Sequence, residues 1–494
     1  MTDKTIQKFK ETIKQNVVHG ASLQIIGGVG QTVIRICASM VLARILVPSD
    51  FGLFGMALLA REFIEYMGAI GMGAGIITKE NLIDKDLSTC FWVMVFSKVI
   101  IFIIAFWGAP VVALFFAEPR LVFIFRAVSF TFLFSIIGTV PLWILQKRME
   151  FTSIVVIRLL AMLFESAIAV ILVLTTSLRV EALVIALLIA SVFNHLAAWS
   201  CSRWVPKLIF SKNSFRYLFR FGINSLGTSM MTYFYENLDY LTVGRLMGAS
   251  NLGLYEFAYR IPHIILVRVA IPISSVVFPA LAIVKNDTPT LVKGYLKATQ
   301  YIGLIVFPVL GGLAILAPLI IDVLWGAKWL PIVTPLRILC CASAIGCVTR
   351  PISSVFLCKD RPDMPFKLSV LSLSFAVLSV PGLAYYFGLN GVAVGMTFSM
   401  LPGCYGIFLA SKITNTKVSL FFNTLSIPIF VSLSSSIGAY AVQQSLIFLN
   451  LSSIVVLIIS TFFGVVFYLS VLFILFRETI TDITDIINTK LGRT

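Results

Sequence analysis

Residues 43–54 read ARILVPSDFGLF, and residues 244–255 read GRLMGASNLGLY. The two stretches match at a constant separation of 201 residues, as from Gly52 to Gly253. The identical pairs are Arg44 with Arg245, Ser49 with Ser250, Gly52 with Gly253, and Leu53 with Leu254. Because each stretch joins two apolar segments, we predict an internal repeat with one copy of this turn in each half of the chain.

Apolar segments of bilayer length continue outward from both turns to the two ends of the chain. Hydrophobic residues make up 59% of the 494 residues and charged residues 12%, against roughly 25% charged in soluble domains. About 20 apolar residues cross a bilayer as a helix. We therefore predict an all-α membrane protein with about fourteen transmembrane helices, at 22–43, 52–76, 90–116, 121–145, 153–174, 180–200, 221–244, 254–283, 297–321, 332–357, 366–387, 389–411, 425–447 and 452–476.

Six helices in each half return the chain to its starting side of the membrane, which makes the halves parallel repeats. The repeat predicts two lobes that rock to give alternating access to a substrate held between them. The predicted parts are an N-terminal tail at 1–21, an N-lobe at 22–204, a linker at 205–220, a C-lobe at 221–411, two additional helices at 412–476 and a C-terminal tail at 477–494.

The distribution of basic residues sets the predicted orientation. Of the 38 Lys and Arg residues, the predicted outside loops hold five, namely Arg44, Arg120, Arg179, Arg245 and Lys328. Basic residues concentrate on the cytoplasmic side of bacterial membrane proteins. We therefore expect a multi-pass protein of the bacterial inner membrane with both termini in the cytoplasm, and we attribute the net charge of +16 to this bias rather than to nucleic-acid binding.

Several classes of enzyme are disfavoured. The chain contains no P-loop pattern, and its eight cysteines form no CxxC pair, so we expect no ATP hydrolysis, metal site or redox site. The outside loops are only a few residues long, which disfavours a polymerase or ligase of lipid-linked sugars. The sequence Asp84-Lys85-Asp86 resembles a glycosyltransferase DxD motif, but in a short loop it predicts a solvated turn.

Charged residues inside the predicted helices are the candidate functional residues, because such residues usually face a wet cavity or each other. The candidate contacts for an anionic substrate are Arg35, Arg61, Arg126, Arg158, Arg260, His263, Arg268 and Arg350. The candidates for proton or sodium coupling are Glu62, Glu65, Glu236 and Asp239. Arginine offers forked donors that match phosphate oxygens, so we expect an anionic or amphiphilic cargo and no other cofactor.

Some of these charges have structural alternatives. Arg158 and Glu165 lie seven residues apart on one helix face, which is also typical of a structural ion pair. Lys98 and Arg337 lie near helix ends, which favours side chains that reach the membrane surface. Pro262, in the same predicted helix as two further prolines, indicates a bend beside Arg260.

Three segments carry a resemblance to a known family. The stretch at 236–263 (ENLDYLTVGRLMGASNLGLYEFAYRIPH) resembles the start of the second half of Wzx-type polysaccharide flippases of the multidrug/oligosaccharidyl-lipid/polysaccharide exporter superfamily. The segment at 48–92 is similar to colanic-acid and teichuronic-acid exporters, and the run VPLWILQKRMEF at 140–151 to the same family. The resemblance implies a MATE-like fold and places an acidic residue at Asp239.

The resemblance also implies a function. Such proteins move undecaprenyl-diphosphate-linked oligosaccharides across the inner membrane for lipopolysaccharide or exopolysaccharide synthesis, with ion coupling and in company with other polysaccharide-assembly proteins. Two alternatives remain open within the same superfamily. A lipid II flippase needs the same cationic cavity, whereas a multidrug exporter favours a more apolar or acidic one.

Overall fold

The computed structural model describes residues 3–68, 72–79 and 82–475, and the C-terminal tail predicted at 477–494 lies outside these ranges. Chain contacts divide the protein into two compact units, Met1–Glu256 and Phe257–Thr494. The predicted helix at 221–244 therefore belongs to unit 1. All elements assigned in the described ranges are helices.

Unit 1 contains seven complete helices and most of an eighth. They are α1 (Asp3–Ile45), α2 (Pro48–Gly68), α3 (Met72–Thr78), α4 (Asp84–Phe116), α5 (Leu121–Lys147), α6 (Phe151–Thr175), α7 (Val180–Ser202) and α8 (Lys212–Ile265), which runs on into unit 2. The backbone of the predicted tail at 1–21 is helical from Asp3 and continuous with the first predicted span.

Unit 2 begins with the end of α8 and a π-helical turn at Leu266–Ala270. The helices that follow are α9 (Ile271–Ile283), α10 (Thr288–Trp325), α11 (Val333–Thr349), α12 (Ile352–Cys358), α13 (Asp363–Phe398), α14 (Leu401–Thr414), α15 (Val418–Phe448) and α16 (Ser453–Leu475), with a 3₁₀ turn at Ala327–Ile332 before α11.

Two of the long helices are hairpins joined at a glycine. Gly248 in α8 and Gly388 in α13 have φ values of +78° and +59°, which interrupt the helix. On either side of Gly388 the chain lies close to itself, since a Cβ on Gly391 would fall 1.9 Å from the Leu383 carbonyl oxygen. Both breaks fall where the sequence predicts a short turn between two spans.

The predicted fourteen-helix architecture is confirmed. Eleven described helical segments are long and apolar enough to cross a membrane, and two of them, at 233–283 and 363–414, are 51 and 52 residues long. Each of these two is more than twice the length needed for one crossing and contains a glycine break. Counting each as two crossings and adding the more charged α2 gives fourteen.

The linker predicted at 205–220 begins by packing onto the start of α4. Trp92 donates its indole N–H to the Lys207 carbonyl at 2.9 Å, and the Lys207 ammonium pairs with Asp84 at 2.7 Å. Asp86 is only 1% exposed and pairs with Lys79 at 2.6 Å. The predicted solvated turn at Asp84–Asp86 is therefore wrong for Asp86, because this carboxylate is buried as an ion-paired helix cap.

Candidate functional site

A partly buried ion-pair triad joins α2 to α4. A guanidinium nitrogen of Arg61 lies 2.7 Å from one Glu65 oxygen, and the Lys98 ammonium lies 3.2 Å from the other. Arg61 and Glu65 are four residues apart, so the helix itself brings them together. The Lys98 side chain is 4% exposed, and the prediction that it reaches the membrane surface is wrong. Buried charges require partners, and Glu65 supplies one to Lys98.

The triad has consequences for two predicted site residues. Glu65 is held by two cations, so its carboxylate already has its charge compensated. The triad as a whole carries one net positive charge from Arg61, Glu65 and Lys98. Its guanidinium side is partly accessible, since the Arg61 side chain is 25% exposed. This geometry suits Arg61 to an anion contact better than it suits Glu65 to ion loading.

A histidine that the sequence argument did not select lies beside the triad. His195 on α7 interacts electrostatically with Lys98, Glu65 and Arg61. Its Nδ1 is buried and finds no hydrogen-bond partner within the described residues. A Cβ on Gly138 would fall 2.6 Å from Nδ1, so α5 and α7 pack closely here. No pattern in the sequence points to His195, because its partners lie on other helices.

Two of the predicted coupling residues occupy exposed positions, one on α2 and one on α8. Glu62 and Glu236 are exposed and interact electrostatically with each other. The Tyr66 ring lies near both carboxylates and 5.9 Å from the Tyr233 ring. The Tyr233 hydroxyl is buried and donates to the Leu59 carbonyl at 2.9 Å, which ties α8 to α2. Exposed carboxylates within a spanning segment indicate a wet surface, because lipid contact is costly for them.

Asp239 differs from the other acidic candidates because it is completely buried. The Tyr255 hydroxyl donates to one carboxylate oxygen at 2.8 Å, and the Tyr240 amide donates to the other at 3.0 Å. Both donors are neutral groups. Tyr255 lies beyond the break at Gly248, so the hairpin brings Asp239 and Tyr255 together. A buried carboxylate with neutral donors is suited to taking up a proton or a small cation.

The second basic group lies in unit 2. His263 stacks on Tyr259 with ring centroids 5.0 Å apart and interacts electrostatically with Arg350, which is exposed. Arg260 and Arg268 are partly exposed on the same helical run. Arg268 sits in the π-helical turn, where the Ile271 amide donates to the Leu266 carbonyl. Pro272 explains this turn, because it lacks the N–H that an α-helix would direct at the Arg268 carbonyl.

The three remaining predicted contacts lie elsewhere in unit 1. Arg126 donates to the Phe106 carbonyl at 3.3 Å, and its guanidinium lies 5.2 Å from the Phe106 ring centre. Arg35 and Arg158 are exposed on α1 and α6. The described contacts therefore link Arg61 to Glu65 and His263 to Arg350. The structural pairing of Arg158 with Glu165 stays a prediction.

Among solved structures, the fold is similar to those of two transporters. A lipid II flippase MurJ in an inward closed conformation aligns with a TM-score of 0.74 at 14% identity, covering 94% of this chain and 100% of that one. An inward-facing multidrug MATE transporter aligns at 0.58 and 17% identity, covering 78% and 96%. These likenesses define the fold as an all-α membrane fold of the MATE-like kind.

The family follows from the sequence comparison. The family described as "Polysaccharide biosynthesis protein" matches residues 41–334, and the chain belongs to it. The teichuronic acid biosynthesis protein TuaB of Bacillus subtilis is 26% identical, covering 95% of this chain and 97% of its own length. The lipopolysaccharide biosynthesis protein WzxC of Escherichia coli is 26% identical, covering 87% and 88%. The protein is thus a membrane transporter of polysaccharide biosynthesis and not an enzyme.

Proposed function

We propose that this protein flips an undecaprenyl-diphosphate-linked oligosaccharide across the bacterial inner membrane for surface polysaccharide synthesis. The observation that carries the proposal is the presence of basic side chains inside the membrane-crossing segments of this fold. Arg61 in unit 1 and Arg268 in unit 2 are both partly exposed there. A diphosphate supplies the negative charge that such guanidinium groups bind through forked hydrogen bonds.

The basic residues divide between direct and indirect roles. Arg260, His263, Arg268 and Arg350 are the proposed contacts for the diphosphate in unit 2, and Arg61 is a separate candidate anion contact within unit 1. Arg126 is less suited to this role, because its guanidinium already donates to the Phe106 carbonyl. Arg35 and Arg158 are exposed and remain candidates for the sugar or the headgroup region.

The proposed transport cycle is alternating access coupled to a proton or sodium gradient. Asp239 is the best candidate for the coupling residue because its carboxylate is buried among neutral donors. Glu62 and Glu236 are weaker candidates because both side chains are exposed, whereas Asp239 is buried. The proposed location is the inner membrane with both termini in the cytoplasm, next to other polysaccharide-assembly proteins.

Deletion of the gene followed by analysis of lipid-linked intermediates tests the proposal. We expect an undecaprenyl-diphosphate oligosaccharide to accumulate on the inner leaflet and surface polysaccharide to disappear. The wild-type chain should remove the accumulated intermediate and restore the surface polysaccharide. Accumulation of lipid II with arrested peptidoglycan synthesis would instead identify the alternative cargo, and normal export in the deletion strain would contradict the proposal.

A further inference from the structure

The two repeated turns of the sequence are in direct contact. A Cβ on Gly52 would fall 1.7 Å from the Ala249 carbonyl oxygen. A Cβ on Gly253 would fall 1.9 Å from the Pro48 carbonyl oxygen. Both distances are shorter than any real carbon–oxygen contact, so only glycine fits at either position. A glycine hydrogen takes the place of each Cβ, which permits Cα–H···O contacts between the turns.

These contacts are reciprocal under the repeat. Residue 253 is the repeat partner of residue 52, and residue 249 is the repeat partner of residue 48, since both pairs are 201 apart. Gly52 therefore contacts Ala249, the repeat partner of Pro48, and Gly253 contacts Pro48 itself. This pattern is that of an isologous two-fold contact, in which i meets j and j meets i. The backbone nitrogen of Gly52 would lie 3.0 Å from a Cβ on Gly253.

Each turn also contains a hydrogen bond between its backbone and a side chain, and the two side chains occupy equivalent positions in the repeat. Asp50 accepts a hydrogen bond from the Val47 amide at 3.1 Å. Its repeat partner Asn251 donates to the Met247 carbonyl at 3.0 Å. Each turn is thus held by a side-chain hydrogen bond of its own, and the two turns meet backbone to backbone. The flanking side chains of Leu53 and Leu252 are 1% and 0% exposed, so this surface is dry.

We propose that the contact of Gly52 with Ala249 and of Gly253 with Pro48 is the closed gate at the outer end of the transport path. The proposal rests on the proposed function for its role in transport, but the contact itself does not. A gate must form and separate once per cycle. Two turns that meet backbone to backbone, each with its own internal hydrogen bond, can separate without unfolding either turn, and glycine makes the closed state possible.

The first test replaces each glycine by alanine. In Gly52→Ala and Gly253→Ala the added methyl group excludes the closed state, so both variants should favour the open gate. We expect a cysteine at position 249 (Ala249→Cys) to react with a membrane-impermeant maleimide at least about tenfold faster in the Gly52→Ala background. Cargo export should fall at least about tenfold in both variants. Gly108→Ala is the matched control, because no atom lies within 4 Å of its Cβ position.

The second test holds the gate shut and does not need a glycine substitution. A reducible thiol cross-linker should join Ser49→Cys to Ser250→Cys, stop export, and release it again on reduction, whereas either single variant should be unaffected. A cross-linked chain that still exports, or a pair that does not cross-link in the inserted protein, would overturn the gate. An unchanged rate of maleimide labelling at Ala249→Cys, together with normal export, in the Gly52→Ala background would also overturn the gate. If the wild-type chain fails to restore export, only the proposed function fails, since labelling and cross-linking need no cargo.

Discussion

The Lys98 ammonium on α4 lies 3.2 Å from a carboxylate oxygen of Glu65 on α2, and the lysine side chain is almost fully buried. This pair fixes two membrane-crossing helices of unit 1 to each other. The same carboxylate also pairs with Arg61, which is a proposed anion contact.

Removal of the Glu65 charge should destabilise the protein. Glu65→Gln leaves the Lys98 ammonium buried without its counter-ion, so we expect a loss of about 2 kcal/mol. The loss is below the roughly 3–5 kcal/mol of a fully buried pair because the Glu65 side chain is 34% exposed. The temperature at which the detergent-solubilised protein aggregates should fall. Adding Lys98→Met to Glu65→Gln should recover most of the lost aggregation temperature. An unchanged aggregation temperature in Glu65→Gln alone would contradict this account.

Arg268→Ala should block export while leaving membrane insertion intact. The Arg268 side chain is partly exposed, so alanine removes its forked donors without leaving a cavity in a fully buried core. Arg268→Lys should recover only part of the activity, because an ammonium lacks the fork. Surface polysaccharide and lipid-linked intermediates are the measurements. Arg361→Ala, which removes an exposed ion pair with Asp363, is the control, and normal polysaccharide in Arg268→Ala would remove this residue from the site.

Asp239→Asn should uncouple transport from the ion gradient. The amide keeps the size of the side chain but neither ionises nor binds a proton. We expect the export rate to lose its dependence on pH and sodium in membrane vesicles. Tyr255→Phe, which removes one donor to the same carboxylate, should change that dependence less. An Asp239→Asn chain with wild-type pH and sodium profiles would exclude Asp239 as the coupling residue.

Gly388→Ala should destabilise the hairpin within α13. The backbone there has φ +59° and ψ −140°, a conformation open essentially to glycine. We expect a loss of about 1–3 kcal/mol in the stability of the solubilised protein. Gly382→Ala in the same helix has free space around its Cβ position and should be neutral or slightly stabilising. Equal effects of the two substitutions would argue against a strained turn.

The sequence was sufficient for the architecture because lipid imposes a simple rule on helix length. Apolar runs and the match of Gly52 with Gly253 predict the fourteen crossings and the short turns at Gly248 and Gly388. Helix breaks at Arg350–Pro351 and the π-helical turn before Pro272 were harder to place, because one proline bends, divides or bulges a helix according to its neighbours.

Side-chain partners were less predictable than helices. The i,i+4 pair of Arg61 with Glu65 follows from spacing alone, but the choice of Lys98 as a third member depends on how α2 and α4 pack. For the same reason no sequence pattern points to His195, and Asp86 is buried although its place in a short loop predicts a solvated turn. Sequence predicts which residues share a helix face, whereas contacts between helices depend on crossing geometry.

The π-helical turn at Leu266–Ala270 has the effect of one inserted residue. Its backbone hydrogen bond joins residues five apart, whereas an α-helical bond joins residues four apart. Loss of one residue from this stretch would remove the extra residue of the π-helical turn and rotate Ile271–Ile283 around its axis by about 100°. Side chains of α9 that now pack inward would then point elsewhere. Length in this stretch, more than residue identity, therefore determines which face of α9 is presented, and related chains should be aligned here by face rather than by position.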